Sequence, residues 1–318
     1  MPVSIAASSH ALYDSMPIDM SDPSILPDVT IHAPIGMNLT LLGAAEMDIP
    51  GQDVPETFLQ RVNLPLLASS VSAAYVGGVD SITLDRDFHV HPTAPPRSAA
   101  LDGVTMAGKL GLGKTPQICA EIPSDPLYIR EAVSLLTNAR VASAAVTLTL
   151  QEIDDYHDFK RAADDARAAG VSVWLLATNP QVTGENAETV ASIFDAVRVR
   201  HPDRAAVRQM RFALKEAARK RKSDLTVFAD LGIVISATLQ AAEERSILIS
   251  QLNGGELFSG MASVVGTVYD VADAIESWVG MGAADGMVLT PASLPTDLAS
   301  VLKGVLPLLE ARATIERE

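Results

Sequence analysis

A handful of residues in this chain have the types and spacing that chemistry requires. His89 and His91 stand two apart in one polar stretch. In an extended loop both would face one side, where imidazoles can bind a metal or move protons. No carboxylate–histidine spacing elsewhere completes a metal set, so the pair reads better as polar loop residues near the mouth of whatever carries them. Cys119 is the single cysteine, which excludes an intrachain disulfide and a cysteine-built zinc site. It reads as a small buried hydrophobe before it reads as a nucleophile. Glu121, just ahead of Pro123, is either a carboxylate at a site or a charge at a helix N-terminus.

The stretch Gly108-Lys109-Leu110-Gly111-Leu112-Gly113-Lys114-Thr115 fits the G-x-x-x-x-G-K-[ST] phosphate-loop pattern letter for letter. A phosphate loop needs a strand before it and a helix after it, so that backbone N–H groups converge on the phosphates. Here the preceding residues read as a helix and the following ones as a strand. The motif is therefore expected to be a glycine-rich connection from helix to strand.

The elements that must position these residues alternate. Short β-branched runs are predicted at 37–42, 79–84, 115–120, 142–150, 171–177, 195–199, 225–234 and 285–290, and amphipathic helical runs lie between them. Residues 3–7 read as one short strand in an irregular lead-in, 1–36, and the remainder, 37–318, as one domain. Thr267 stands three residues before Asp270 at the head of a helical run, in a capping-box-like arrangement. Trp174 and Trp278 fall on apolar faces and read as core. The alternation predicts parallel βα units, and the count approaches eight, so a closed (β/α)8 TIM barrel is expected. No glycine-rich G-x-G-x-x-G turn supports a dinucleotide-binding sheet.

Composition narrows the partners. The 318 residues are 48% hydrophobic, enough for a substantial core. Acidic side chains outnumber basic ones 39 to 24, for a formal charge of -15, a field that repels nucleic acid and anionic membrane surfaces. The basic run from Arg208 to Lys222 reads as a solvated helix face. No signal peptide and no apolar run long enough for a membrane span is visible, and a cytoplasmic location is expected.

Several segments, in order, resemble the luciferase-like flavin-dependent monooxygenases, particularly the branch with nitrilotriacetate and dibenzothiophene-sulfone monooxygenases. They are Gly77-Gly78-Val79-Asp80-Ser81-Ile82-Thr83-Leu84, the stretch from Leu101-Asp102 to Leu112, Pro126 to Arg140, Leu176 to Val197, and the C-terminal run Val265-Gly266-Thr267, Gly282-Ala283-Ala284-Asp285-Gly286, Leu294-Pro295 and Leu306-Pro307. The resemblance implies a bacterial-luciferase-like barrel with FMN, or in a sister branch the deazaflavin F420, at the C-terminal ends of the strands. It implies reduced flavin from a separate flavin reductase, transfer of one oxygen atom from O₂ to a small organic substrate, and a homodimer. It places Asp85 and Asp87 beside the flavin ring, where they read equally as exposed loop carboxylates. It places Cys119 near the flavin too, and Thr178 and Asn179 at the flavin phosphate, where a plain turn cap is the competing reading. Arg140 is implied to hold a helix-to-strand turn through hydrogen bonds. Ala144 and Leu148 stand where relatives carry polar flavin contacts. The middle of the chain, 150–171, is shorter than in relatives. The same departures support an alternative: a catalytically degenerate barrel acting as a binding or partner subunit.

Overall fold

The computed structural model describes residues 4–6, 30–39, 62–85, 101–111, 115–149, 156–179, 186–253 and 256–315. The strands and helices alternate in chain order: β3 (Ile35–Asn38), α1 (Leu64–Val76), β4 (Ser81–Leu84), α2 (Asp102–Leu110), β5 (Gln117–Ile122), α3 (Pro126–Asn138), β6 (Ala144–Thr149), α4 (Tyr156–Ala168), β7 (Val171–Ala177), α5 (Ala187–Ile193), β8 (Ala196–Val199), α6 (Arg204–Arg221), β9 (Thr226–Ile235), α7 (Leu239–Asn253), β10 (Ala262–Gly266), α8 (Val268–Gly280), β11 (Gly286–Pro291), α9 (Thr296–Ser300), a π-helical turn (Val301–Val305) and α10 (Leu306–Ile315). Ahead of them β1 (Ser4–Ala6) pairs antiparallel with β2 (Thr30–His32), and β1 lies against α8 and α10.

Eight strands close into a parallel barrel in the order β3-β4-β5-β6-β7-β8-β9-β11, with β11 returning to β3. This is a (β/α)8 TIM barrel, as the alternation predicted. The short strands need no polar face because helices cover them outside and side chains fill them inside. Alternate residues such as Ile82, Ile118, Val146, Val173, Val197 and Leu231 point outward into the main core beneath the helices.

β10 is a ninth parallel strand, outside the eight that the alternation predicts. It pairs only with the upper half of β9, Ala262 with Leu231 through to Gly266 with Ile235. That is the part of β9 that runs on beyond its pairing with β8.

Three of the motif aspartates turn out to serve the barrel's N-terminal face. Asp80, Asp195 and Asp285 each stand directly before a strand, and their carboxylates accept the backbone N–H of Ile35, Val173 and Val227 on the neighbouring strand, each at 2.8 Å. Their own N–H groups donate back to the carbonyls of those same residues. Each aspartate is thereby a two-point clamp fixing register where the strands begin. Arg211 and Lys215 of the basic helix face Asp285, while Arg208, Arg219, Lys220 and Arg221 remain at the surface.

Helix α2 precedes and β5 follows the Gly108–Thr115 motif, the reverse of a phosphate loop's context. The capping box at Thr267 forms, the Asp270 carboxylate accepting the Thr267 N–H at 2.7 Å. Arg140 sits in the left-handed region, φ 57°, and the turn is held by backbone: Arg140 N–H donates to the Thr137 carbonyl and Val141 N–H to that of Leu136. No described helix is long and apolar enough to cross a membrane.

Candidate active site

Because side chains alternate along each strand, every barrel strand sends its second set inward. Midway up the lumen this set is apolar: Cys119, Ala145, Trp174, Ala196, Phe228 and Val288 form a cluster separate from the main core. The Trp174 and Phe228 rings stack at 5.1 Å with an interplanar angle of 17°. The barrel is filled, and any ligand must bind above this layer.

Directly above it the lumen holds charge. The sequence Val197-Arg198-Val199-Arg200 turns both valines outward and both arginines inward, and Asp230 follows Phe228 on the inner face of β9. Arg198 grips Asp230 with two parallel hydrogen bonds, Nε to Oδ1 at 3.0 Å and Nη2 to Oδ2 at 2.9 Å. Its Nη1 lies 3.4 Å from Asp85 Oδ1. Arg200 bridges the same two carboxylates, Nε to Asp230 Oδ2 at 3.0 Å and Nη2 to Asp85 Oδ2 at 3.1 Å, and Asn38 Nδ2 donates to Asp85 at 2.6 Å. Two positive and two negative groups thus close a neutral ring across β3, β4, β8 and β9. Asp230 is fully buried and Arg198 1% exposed; such burial is tolerable only because each charge is both paired and hydrogen-bonded. Burial alone would raise the Asp85 pKa, but the nearby Arg200 and Arg198 guanidiniums and the Asn38 amide outweigh it and hold the carboxyl below its ordinary value.

The residues that the resemblance assigns to a cofactor are dispersed by this geometry. Asp85 belongs to the charged ring. Cys119 lies in the apolar layer, its Sγ 2.7 Å from Thr147 Oγ1, and burial pushes its thiol up to about 12. Thr178 and Asn179 are exposed, directly after β7 at the C-terminal end of the barrel. Asp87, His89 and His91 lie outside the described residues. Nearby on the rim, Thr149 Oγ1 donates to Glu121 Oε1 at 2.9 Å, and Ser124 Oγ donates to the Thr149 carbonyl at 2.7 Å. Arg200 N–H donates to the Ala177 carbonyl at 2.9 Å, tying the upper ends of β7 and β8 together.

Arg198, Arg200 and Asp230 were not foreseen. Their signal was present: arginines that alternate with valines along Val197-Arg198-Val199-Arg200, and an aspartate in the middle of the apolar run of β9. The thiol gives a direct check on the lumen. Cys119 should not react with a water-soluble aromatic disulfide at pH 8 in the folded protein and should titrate one-to-one in denaturant, since the thiolate is the reactive form. Rapid reaction without denaturant would mean that the lumen opens.

A second feature closes part of the mouth. Phe258, 8% exposed, packs with Val234, Ile249 and Ala292, and its ring lies so close over Gly232 that a Cβ at 232 would clash with it at 2.3 Å. Only glycine admits that approach.

No family model and no curated protein matches the sequence. Solved structures do match by shape. EDTA monooxygenase from Chelativorans sp. BNC1 superposes with a TM-score of 0.64 at 13% identity over 88% of this chain and 94% of that one. A riboflavin lyase determined with modified FMN and riboflavin gives 0.60 at 12% over 88% and 92%. The coenzyme F420-dependent tetrahydromethanopterin reductase from Methanopyrus kandleri gives 0.58 at 11% over 87% and 99%. At these identities the likeness is one of architecture. The fold is that of the luciferase-like monooxygenase barrels whose motifs the sequence resembles.

Proposed function

We propose that the chain is a flavin-dependent oxidoreductase that binds FMN, reduced by a separate reductase, at the C-terminal mouth of the barrel and acts there on a small organic substrate. The observation that carries this reading is the exposed pair Thr178 and Asn179 at the end of β7, next to the Glu121–Thr149 pair, on the face where barrel enzymes bind their ligands. A hydroxyl and a carboxamide suit the terminal phosphate of FMN, to which both can donate hydrogen bonds. When bound, reduced flavin would supply the electrons for the reaction with dioxygen. Around it the chain's own residues would orient the group: Thr178 and Asn179 by holding the phosphate, and the charged ring by keeping a rigid, neutral floor. Asp85 would act through that floor, since both its oxygens are engaged by Arg198, Arg200 and Asn38. F420 is the alternative cofactor, supported by the reductase of the same fold.

A second reading, a barrel that binds a partner or ligand without redox chemistry, is favoured by the same engagement of Asp85. Titrating the protein with FMN, and separately with F420, while following flavin fluorescence separates the two. Binding of neither, oxidised or reduced, leaves the second reading. If FMN binds, Thr178→Ala with Asn179→Ala should weaken it roughly 10–100-fold, the value of hydrogen bonds to a charged group, and leave riboflavin nearly unchanged. Equal losses for the two ligands would remove the phosphate assignment.

A further inference from the structure

Four inward-facing positions lie side by side beneath the mouth. Thr83 on β4 is in register with Asn38 on β3. Thr290 on β11 follows Leu289, which is in register with Met37, and so neighbours Asn38 from the other side. Thr290 is also in register with Gly232 on β9. Asn38 is bonded to Asp85, but the hydroxyls of Thr83 and Thr290 are buried without a hydrogen-bond partner among the described residues. An unpaired buried hydroxyl costs about 1–3 kcal/mol and calls for an explanation.

At Gly232 the wall is cut back to the backbone, and the space is taken by the Phe258 ring. A phenyl ring has no polar edge. It can therefore fill the space over Gly232 yet leave the Thr290 hydroxyl, one strand spacing of about 4.8 Å away, with nothing to bond. Phe258 does not belong to the βα ladder. It lies in a turn ahead of β10, closed by Met261 N–H donating to the Phe258 carbonyl at 3.2 Å and by Gly260 at φ 77°. That turn rests on Val234, Ile249 and Ala292 through apolar contacts, with Leu257, Met261 and Val265 beside it.

We propose that Phe258 is an internal plug: its ring occupies the seat of a planar heteroaromatic ligand over Gly232, and binding of that ligand, with its polar ring edge against Thr290, requires the ring to leave. The assignment of that ligand as a flavin rests on the function proposed above; the plug itself rests on Gly232, Phe258 and Thr290. A plug seated nine-tenths of the time lowers apparent affinity about tenfold, because only the open fraction binds.

The test compares wild type with Phe258→Ala and with Phe258→Leu, which keeps most of the apolar packing if the alanine variant folds poorly. Each is titrated with FMN and with 1-anilinonaphthalene-8-sulfonate, an aromatic dye unrelated to flavin, and thermal unfolding confirms the fold. At least tenfold tighter FMN binding by the variants, reversed by adding Thr290→Val, is expected. Equal or weaker FMN binding by the variants would overturn the plug and leave the flavin reading standing. If no form binds FMN but the variants take up the dye one-to-one where wild type does not, the plug stands and the flavin reading falls. Folded variants that bind neither would overturn the plug as well.

Discussion

Replacing Asp230 by alanine should destabilise the barrel by about 3–5 kcal/mol, because it strands Arg198 in the lumen without its bidentate partner. Arg198 is 1% exposed, so its charge would stay out of reach of water. Its remaining ionic contact, to Asp85, is the longest in the ring at 3.4 Å. The double variant Arg198→Met with Asp230→Leu should recover most of that loss, since it removes one charge of each sign and leaves Arg200 paired with Asp85. Urea unfolding of Arg198→Met, Asp230→Leu and the double variant measures the coupling directly. Additive losses would mean that Arg198 and Asp230 do not hold each other, whatever their spacing.

The same ring fixes the sign of the acid response. The Asp85 carboxyl is held below its ordinary value, so its pairing contributes fully above the unfolded-state pKa, about 3.9, and is lost as pH falls through the lower folded value. Stability curves of wild type and Asp85→Asn should therefore converge below about pH 3.9 and separate above it.

The difference between what the sequence disclosed and what it hid lies in how far apart the deciding partners are. The strands were legible because outward positions such as Ile82, Val146 and Val197 recur with period two beside helices whose own apolar residues recur near 3.6. The aspartates before β4, β8 and β11 are legible only as members of the family-like segments, because their purpose, clamping a neighbouring strand's N–H, needs the neighbour in place. β10 was missed for a related reason. Ser263 is exposed and Val264 and Val265 only half-buried, so the segment lacks the apolar signature of a strand covered on both faces, and its one ladder partner lies about thirty residues away. The charged ring was hidden most completely. Arginine is usually a surface residue, so the alternation of Arg198 and Arg200 with valines marks one strand face as charged without disclosing that the face is buried or what pairs with it. Only closure of β8 onto β9, and of β3 and β4 across the lumen, brings Asp230, Asp85 and Asn38 to them.

Below that ring, Trp174→Ala should cost about 3–5 kcal/mol, in the upper part of that range. The size of such a loss depends on whether neighbours can move into the gap, and here they cannot do so readily. Ala145, Ala196 and Cys119, which share the layer, are small. They are fixed to strands whose ladders run continuously around a closed barrel. Phe228 would lose its stacking partner, itself worth about 0.5–1.5 kcal/mol beyond area, and the ring of arginines and aspartates would lose its floor. Trp174→Phe, which keeps a stackable ring, should lose less than half as much. Denaturant unfolding followed by the fluorescence of Trp278, buried in α8, reports both variants with a probe outside the lumen. A cost for Trp174→Ala under about 1.5 kcal/mol would show that the layer repacks. The barrel's interior would then be a compliant filling, and the floor on which the proposed ligand seat depends would lose its rigidity.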